Sequence, residues 1–532
     1  MTVLFLTLAL LTAPLAAGGL LREPIRPSDE SARANANHIF NAIHSAGRQW
    51  GSSLKHNGFG FIPVVVPAGT LMYHGDTDHQ TPVGPEWLAF EVEHAEAFAS
   101  SWLIRPGQPG SHPQHDHGVQ KPLTQEDDGV FRGYFHTYQA TRDLQLLYVD
   151  GMSAGKTNMG TLDSQDLVLR DNITHEGLPG DFLGELDRAN SICDLITQWG
   201  FDGLMRTEIG FELIYCNFSS GVQLDSALRT FLEEDKITHP GHEFFMWFRT
   251  AAERYDGLLG DRIRMDFSSM VSGFFFPINI SSTDPQRPEL IRLGAAKLDE
   301  LRDIKTYLRD VAVEPRKFTV NWQAVVDMIV ARYSSRLAAL LSGISSSRFV
   351  GEVEAATLTY YDARPRPDDV TFAADNRNRT ADAVDRCAKH YLKPVLLRQN
   401  HWSPQDALIH AALTAVMQDI CHNLFLIRSI ILEASSGSSA GNYRIHSAAN
   451  NEALEEAVNK SRGVVRDLAS RLSWTTWKKP RLCPEEETLF VAMWPFGDEE
   501  DFWNPGCRPL EDLNQGRNSY WIKYGWEMPP SY

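Results

Sequence analysis

Two stretches about 130 residues apart carry the side chains best suited to chemistry. The first is Thr70-Leu71-Met72-Tyr73, strand-like, which ends in His74-Gly75. The second is Phe201-Asp202-Gly203-Leu204-Met205, followed by Gly210-Phe211-Glu212-Leu213-Ile214-Tyr215-Cys216. A strand that delivers a histidine, and a later one that presents one carboxylate among apolar residues, can grip a sugar hydroxyl and stabilise positive charge growing beside it. Alternation along the second strand turns Glu212 away from Phe211 and Leu213.

Two further groups compete. Gly151-Met152-Ser153-Ala154-Gly155 fits the G-x-S-x-G pattern of a serine nucleophile on a tight turn, and it follows a strand-like run, Leu144 to Asp150. The residues after it, Lys156-Thr157-Asn158-Met159-Gly160-Thr161, have no helical face, whereas that motif needs a helix there. The same stretch has three residues between its glycine and Gly155-Lys156-Thr157, one short of a phosphate-binding loop. Ser153-x-x-Lys156 lacks the companion motifs of penicillin-binding enzymes. His112-Pro113-Gln114-His115-Asp116-His117 has the residue types of a transition-metal site, but sits in a Pro/Gly-rich segment with no rigid element to fix geometry. No metal is expected.

The opening pair resembles the ADP-ribosyltransferase fold, in the branch shared by diphtheria-like toxins and poly(ADP-ribose) polymerases. In that family a strand ends in His-Gly, a second strand with an aromatic and a small residue leads into a helix, and a late strand carries a glutamate. Here the same order runs Tyr73-His74-Gly75, Trp87-Leu88-Ala89-Phe90, His94-Ala95-Glu96-Ala97-Phe98-Ala99, Asp202-Gly203 and Phe211-Glu212-Leu213-Ile214. The resemblance implies NAD as substrate, attacked at the nicotinamide–ribose bond. Glu212 is then the electrostatic catalyst and His74 bonds a ribose hydroxyl. Gly75 lets the backbone approach the nicotinamide amide, and Phe98 or Phe90 stacks on the ring. Three features depart from the family. Phe98 stands where a tyrosine is usual, Asp76 follows His-Gly, and Gly210 leaves no E-x-E pair. Glu208, four residues before Glu212, is expected to lie too far away to replace the missing carboxylate. Arginine is therefore not the expected acceptor, and water or another acceptor, including an unknown protein, stays open. The whole chain also resembles a group of secreted fungal proteins sharing Asp150-Gly151-Met152-Ser153-Ala154-Gly155-Lys156 and Met493-Trp494-Pro495-Phe496-Gly497. A non-catalytic secreted protein that keeps the fold to bind a partner is the second expectation, and a serine hydrolase using Ser153 the third.

The elements that must position these residues follow from periodicity. Helical spacing covers 31–54, and strands are expected at 59–66, 70–73, 87–90, 133–140, 144–149, 203–206 and 211–218. Helices are expected at 94–102 and 181–199, with a long loop over 105–129. The expected fold is an α+β domain over 30–222 with a split sheet of the ADP-ribosyltransferase kind, followed by a mainly α-helical domain over 226–473. Helical patterns there cover 226–256, 288–312, 320–343, 404–434 and 449–473, with an exposed connector over 350–380. A Trp/Pro-rich segment, 474–532, is expected to wrap another domain.

Bulk properties set the compartment. Residues 1–18 are apolar and end in small residues, as in a signal peptide. Six cysteines allow fifteen pairings, and the expected one is sequential, Cys193 with Cys216, Cys387 with Cys421 and Cys483 with Cys507, each worth about 3 kcal/mol as a disulfide. Asn172, Asn217, Asn279, Asn378 and Asn459 begin glycosylation sequons, with Asn279 crowded by Phe274-Phe275-Phe276. The expectation is a secreted, extracellular glycoprotein. A net charge of −18 with no basic stripe excludes a nucleic-acid footprint. The apolar stretch 411–431, interrupted by Asp419, His422, Asn423 and Arg428, reads as a buried helix, so no membrane partner is expected once the leader is removed.

Overall fold

Residues 22–103, 130–172, 184–236, 242–257, 261–363, 377–435, 451–513 and 520–521 are described by a computed structural model. The expected leader, the 105–129 loop with its histidine cluster, and the Arg364-Pro365-Arg366-Pro367 part of the connector lie outside them. The single helical pattern over 31–54 resolves into α1 (Asp29–Ala34), α2 (Ala36–Ser45) and α3 (Gln49–Leu54). Asn35 and Gly47, the latter at φ +64°, interrupt it.

Strands β1 (Gly60–Val66), β2 (Leu71–Asp76) and β3 (Glu86–Ala89) come next, then helix α4 (Val92–Glu96), shorter than the expected 94–102. A small separate pair, β4 (Trp102–Leu103) and β5 (Val130–Phe131), precedes β6 (Tyr134–Ala140) and β7 (Leu144–Val149). Helix α5 (Glu185–Ile196) leads to β8 (Gly203–Glu208), β9 (Gly210–Tyr215) and β10 (Val222–Arg229). After α6 (His242–Arg254) come β11 (Arg264–Met265) and β12 (Val271–Ser272).

Ten strands join one sheet in the order β10-β6-β2-β3-β9-β8-β7-β1-β11, with β12 also on β1. Among the described strands of this sheet only β7–β8 pair in parallel, so the chain must cross over between them, through residues 150–202. β1 is buried along its whole length, as its continuous apolar run requires. Pro63, which has no N–H to donate, sits where the second neighbour of β1 changes from β12 to β11. β10 corrects an expected helix that began at 226. Val222 and Leu224 alternate with Gln223 and Asp225, and pairing with the open edge of β6 settles the choice.

The rest of the chain is mainly helical: α7 (Leu298–Ala312), α8 (Trp322–Leu341), α9 (Ser346–Thr357), α10 (Arg379–Lys389), α11 (Pro404–Ser435) and α12 (Asn451–Leu472). The expected connector over 350–380 is therefore helical at both ends. α11 is long and apolar enough to cross a membrane by length and composition. It packs among α1, α2, α9, α10 and α12. An α+β region followed by a mainly helical one is thus the architecture, and the two share one hydrophobic core from Ala32 to Trp521. The final segment holds α13 (Glu499–Trp503) and α14 (Leu510–Leu513) beside the hairpin of β13 (Glu487–Phe490) and β14 (Gly506–Pro509). It closes on the N-terminal part: Trp474 stacks on Phe40 at 5.4 Å, and Trp50 Nε1 donates to Thr475 O at 3.0 Å. All three sequential cysteine pairs are disulfides. The five sequon asparagines are exposed, Asn279 included, although it had been expected to be crowded; the rest of the Asn172 sequon lies outside the described residues.

Candidate functional site

β2, β3 and β9 are neighbours in the sheet, and one ladder row runs Tyr73, Ala89, Glu212, Arg206. β2 and β3 share only the Tyr73–Ala89 pair before they part. Beyond it the side chain of His74 takes over the ladder's work, Nδ1–H donating to Trp87 O at 2.7 Å. The opening between the strands is a cavity of about 150 Å³. His74, Gly75, Phe98 and Glu212 all line it, so the structure brings together four of the five expected residues. Phe90 is the exception. It is buried in the core, with the Arg262 guanidinium 5.9 Å above its ring, and it does not face the cavity.

His74 is held in one orientation. Its Nε2 lies 3.5 Å from Asp76 Oδ2 without hydrogen-bond geometry, and finds no other partner among the described residues. Burial works against its charge, but Asp76, Glu86 and the Trp87 carbonyl outweigh it and raise its pKa above the ordinary histidine value. Gly75 also has a packing role. A Cβ there would come within 2.4 Å of Ala95 O and 2.7 Å of Phe98 C, so the absent side chain lets the end of α4 lie against β2. Phe98 is half-buried and meets Trp247 edge-on at 6.1 Å.

Glu208 overturns an expectation. Ile209 alone joins β8 to β9, with Gly210 at φ +91°, and the side chain of Gln49 clamps that turn. Gln49 Nε2 donates to Glu208 O at 2.5 Å, and Gly210 N donates to Gln49 Oε1 at 2.7 Å. Arg206, Glu208, Gly210 and Glu212 then share one face of the hairpin. Gly210 puts no side chain between the carboxylates, so Glu208 stands beside Glu212 instead of far from it. His94, Glu208 and Glu212 offer ligand atoms all within 4.8 Å of one another, a spacing that one metal ion could bridge. They come from α4, β8 and β9, and no sequence spacing announces them.

The charges of this floor are compensated from within the protein. Arg206 Nε donates to Glu212 Oε1 at 2.5 Å, and the same guanidinium bonds Glu185. Lys156 Nζ lies 3.5 Å from Glu185 Oε2 and 3.6 Å from Glu208 Oε2, beneath the Trp494 ring at 4.5 Å. Burial would raise the pKa of Glu185, but Arg206, Lys156 and Arg188 pull it far below the usual carboxylate range. Glu212 moves the other way. Burial raises it, Arg206 opposes, and the neighbouring Glu208 adds to the rise. Lys156 and Glu185 both arrive in the crossover between β7 and β8. In the sequence, Lys156 stands only in failed motifs and in the stretch shared with fungal proteins, and Glu185 carries no signal at all. Ser153, from the same loop, is fully buried. Its hydroxyl donates to Val149 O at 2.7 Å, and it does not line the cavity.

No solved structure matches this chain. A family model described as the YPL277C N-terminal domain matches residues 22–130 and 105–245, the part that holds β1 to β10. "Uncharacterized protein YOR389W" of Saccharomyces cerevisiae is 26% identical over 533 residues, covering 86% of this chain and 82% of that protein. "Uncharacterized protein YPL277C" of the same yeast is 36% identical over 213 residues, covering 36% of this chain and 43% of that protein. The chain is thus similar to one yeast protein over most of its length and to another over part of it.

Proposed function

We propose that this is a secreted NAD-cleaving protein of the ADP-ribosyltransferase kind, with the sheet parting between β2 and β3 as its split. It breaks the nicotinamide–ribose bond and passes the ADP-ribosyl group to water or to an acceptor still to be found. One observation carries the reading: His74 and Gly75 of β2, Glu212 of β9 across β3, and Phe98 beyond α4, chosen for their chemistry, line a single cavity. A cavity of about 150 Å³ suits the pyridinium ring and part of its ribose, with the diphosphate and adenosine outside. The three disulfides agree with secretion.

In hydrolysis, water forms a bond to the anomeric carbon as the carbon–nitrogen bond breaks. The bonding electron pair goes to the ring nitrogen, which leaves neutral nicotinamide, and the water gives up a proton to bulk solvent. Positive charge grows on the ribose, where the Glu212 carboxylate, held by Arg206, stabilises it. His74 Nε2, 3.5 Å from Asp76 Oδ2 and with no hydrogen bond among the described residues, is available to a ribose hydroxyl. Incubation of the mature protein with NAD is expected to release nicotinamide. Glu212→Gln should lower that rate by about a hundredfold or more with the thermal midpoint retained, while Ser153→Ala leaves it intact. Absence of release at any protein concentration would sink the enzyme reading and leave a protein that keeps the fold to bind a partner.

A further inference from the structure

A second and larger cavity, about 460 Å³, opens where α2, α3, the end of α12 and the C-terminal segment meet. It does not communicate with the chemistry proposed above: none of its lining residues also lines the His74–Glu212 cavity. Its walls combine two features that seldom occur together in a chain of net charge −18.

The first is aromatic. Phe59 and Phe274 stack at 4.2 Å and 19°, while Trp474 and Trp477 stack at 5.1 Å and 28°. These four rings, with Phe502 and Trp503, give the cavity flat apolar faces. The second is cationic. Lys55 and Lys478 line the same space, and neither has an ion pair among the described residues. Lys55 Nζ reaches only Ser473 Oγ, at 2.8 Å, and Lys478 Nζ only Trp503 O, at 3.3 Å, besides the faces of Phe502 and Trp503. The two carboxylates on the wall are engaged elsewhere. Asp150 Oδ1 accepts from Phe59 N and Gly60 N, both at 2.7 Å, and Glu289 is bound by Arg287. A third donor lacks an acceptor among the described residues: Trp474 is buried, and its indole Nε1–H makes no hydrogen bond there. Both lysines are exposed to solvent and so reachable by a ligand.

We propose that this cavity binds a small organic anion with a flat aromatic body, an arene carboxylate or sulfonate. Its acid group meets Lys55 and Lys478, and its ring slides between the stacked walls. The volume falls in the range of ordinary ligand sites. The lysines supply what such a ligand needs and the protein leaves unused. Their pKa values are lowered by the surrounding protein, and that of Lys55 also by the charge of Lys478, as two ammonium groups waiting for a shared counter-charge would be. Asn41 Oδ1, on the same wall, is a buried acceptor with no donor among the described residues.

The test uses the full chain and two probes of one shape, 2-naphthoate and the uncharged 2-naphthamide. Quenching of tryptophan fluorescence and calorimetry give both dissociation constants. Naphthoate is expected to bind about tenfold more tightly than the amide. The double variant Lys55→Gln/Lys478→Gln should bring the two to equal affinity with an unchanged thermal midpoint. Equal affinities in the unsubstituted protein overturn the anionic part of the proposal, as does a double variant that binds naphthoate as before. Decanoate binding more tightly than naphthoate overturns the flat body, and no saturable binding of either naphthyl probe overturns the site.

Discussion

Asp150 accepts from two main-chain N–H groups, yet burial outweighs them and lifts its pKa from 3.8 to about 6. A carboxyl with a raised folded-state pKa favours the native state below its unfolded pKa, and that contribution is lost as pH rises through the folded value. For Asp150 the window is about pH 4 to 6, with a penalty above it on the order of 2–3 kcal/mol. Asp150→Asn keeps an oxygen for both N–H groups and removes the charge. It should therefore raise the thermal midpoint at pH 7, with the gain fading as the pH is lowered toward 4. A gain of the same size at every pH would mean that Asp150 does not titrate in this window. Glu185 has the opposite sign. Its pKa is depressed by three cations, so its stabilisation is present at neutral pH and lost only in strong acid.

Gly75 shows how an element depends on what a residue lacks. α4 has only five residues and no side-chain cap, so its position rests on contact with β2 and β3. Gly75→Ala forces a methyl group against main-chain atoms of Ala95 and Phe98, which cannot rotate aside. It is expected to cost about 1–3 kcal/mol in urea unfolding. It should also raise the KM for NAD more than it lowers kcat, because Phe98 shifts while Glu212 stays. Loss of stability with unchanged kinetics would separate α4 packing from the cavity. Most of the strands around this site were legible in the sequence, since β1, β6 and β7 carry apolar runs or alternation that fix them within a residue or two. The His74–Glu212 pairing was legible because both ride on such strands. Glu208 was not, because a one-residue connection at Ile209 turns sequence distance into contact. β10 was not legible either: residues 222–225 carried no strand expectation and 226–229 were expected to be helical, until pairing with β6 supplied the partner.

At the scale of the whole molecule, the sequence separated a sheet region from a helical one, and that division is visible in the element order. It did not reveal that α1 and α2, which precede the sheet, pack on α11, or that Trp494 covers Lys156. Such contacts join positions hundreds of residues apart and leave no local pattern. Each disulfide, by contrast, closes fewer than 40 residues, and the sequential pairing could be read directly. Cys483→Ser with Cys507→Ser opens a bridge of 24 residues' separation and should lower stability by about 3 kcal/mol. If the core is continuous, calorimetry will show one transition at a lower temperature. A separate early transition, with the main one unmoved, would mark the C-terminal segment as an independent unit.

The single parallel pairing, β7 with β8, has a consequence for how this protein can change over time. Besides His94 of α4, the groups that balance Glu212, Glu208 and Arg206 from outside their own hairpin arrive in the crossover that this pairing demands: Lys156, Gln165 and Glu185 with its partner Arg188. The hairpin and the crossover are therefore locked into joint inheritance. A lineage that alters Arg206 must answer at Glu185, and one that loses Lys156 must answer at Glu208, so substitutions at these positions should travel in pairs.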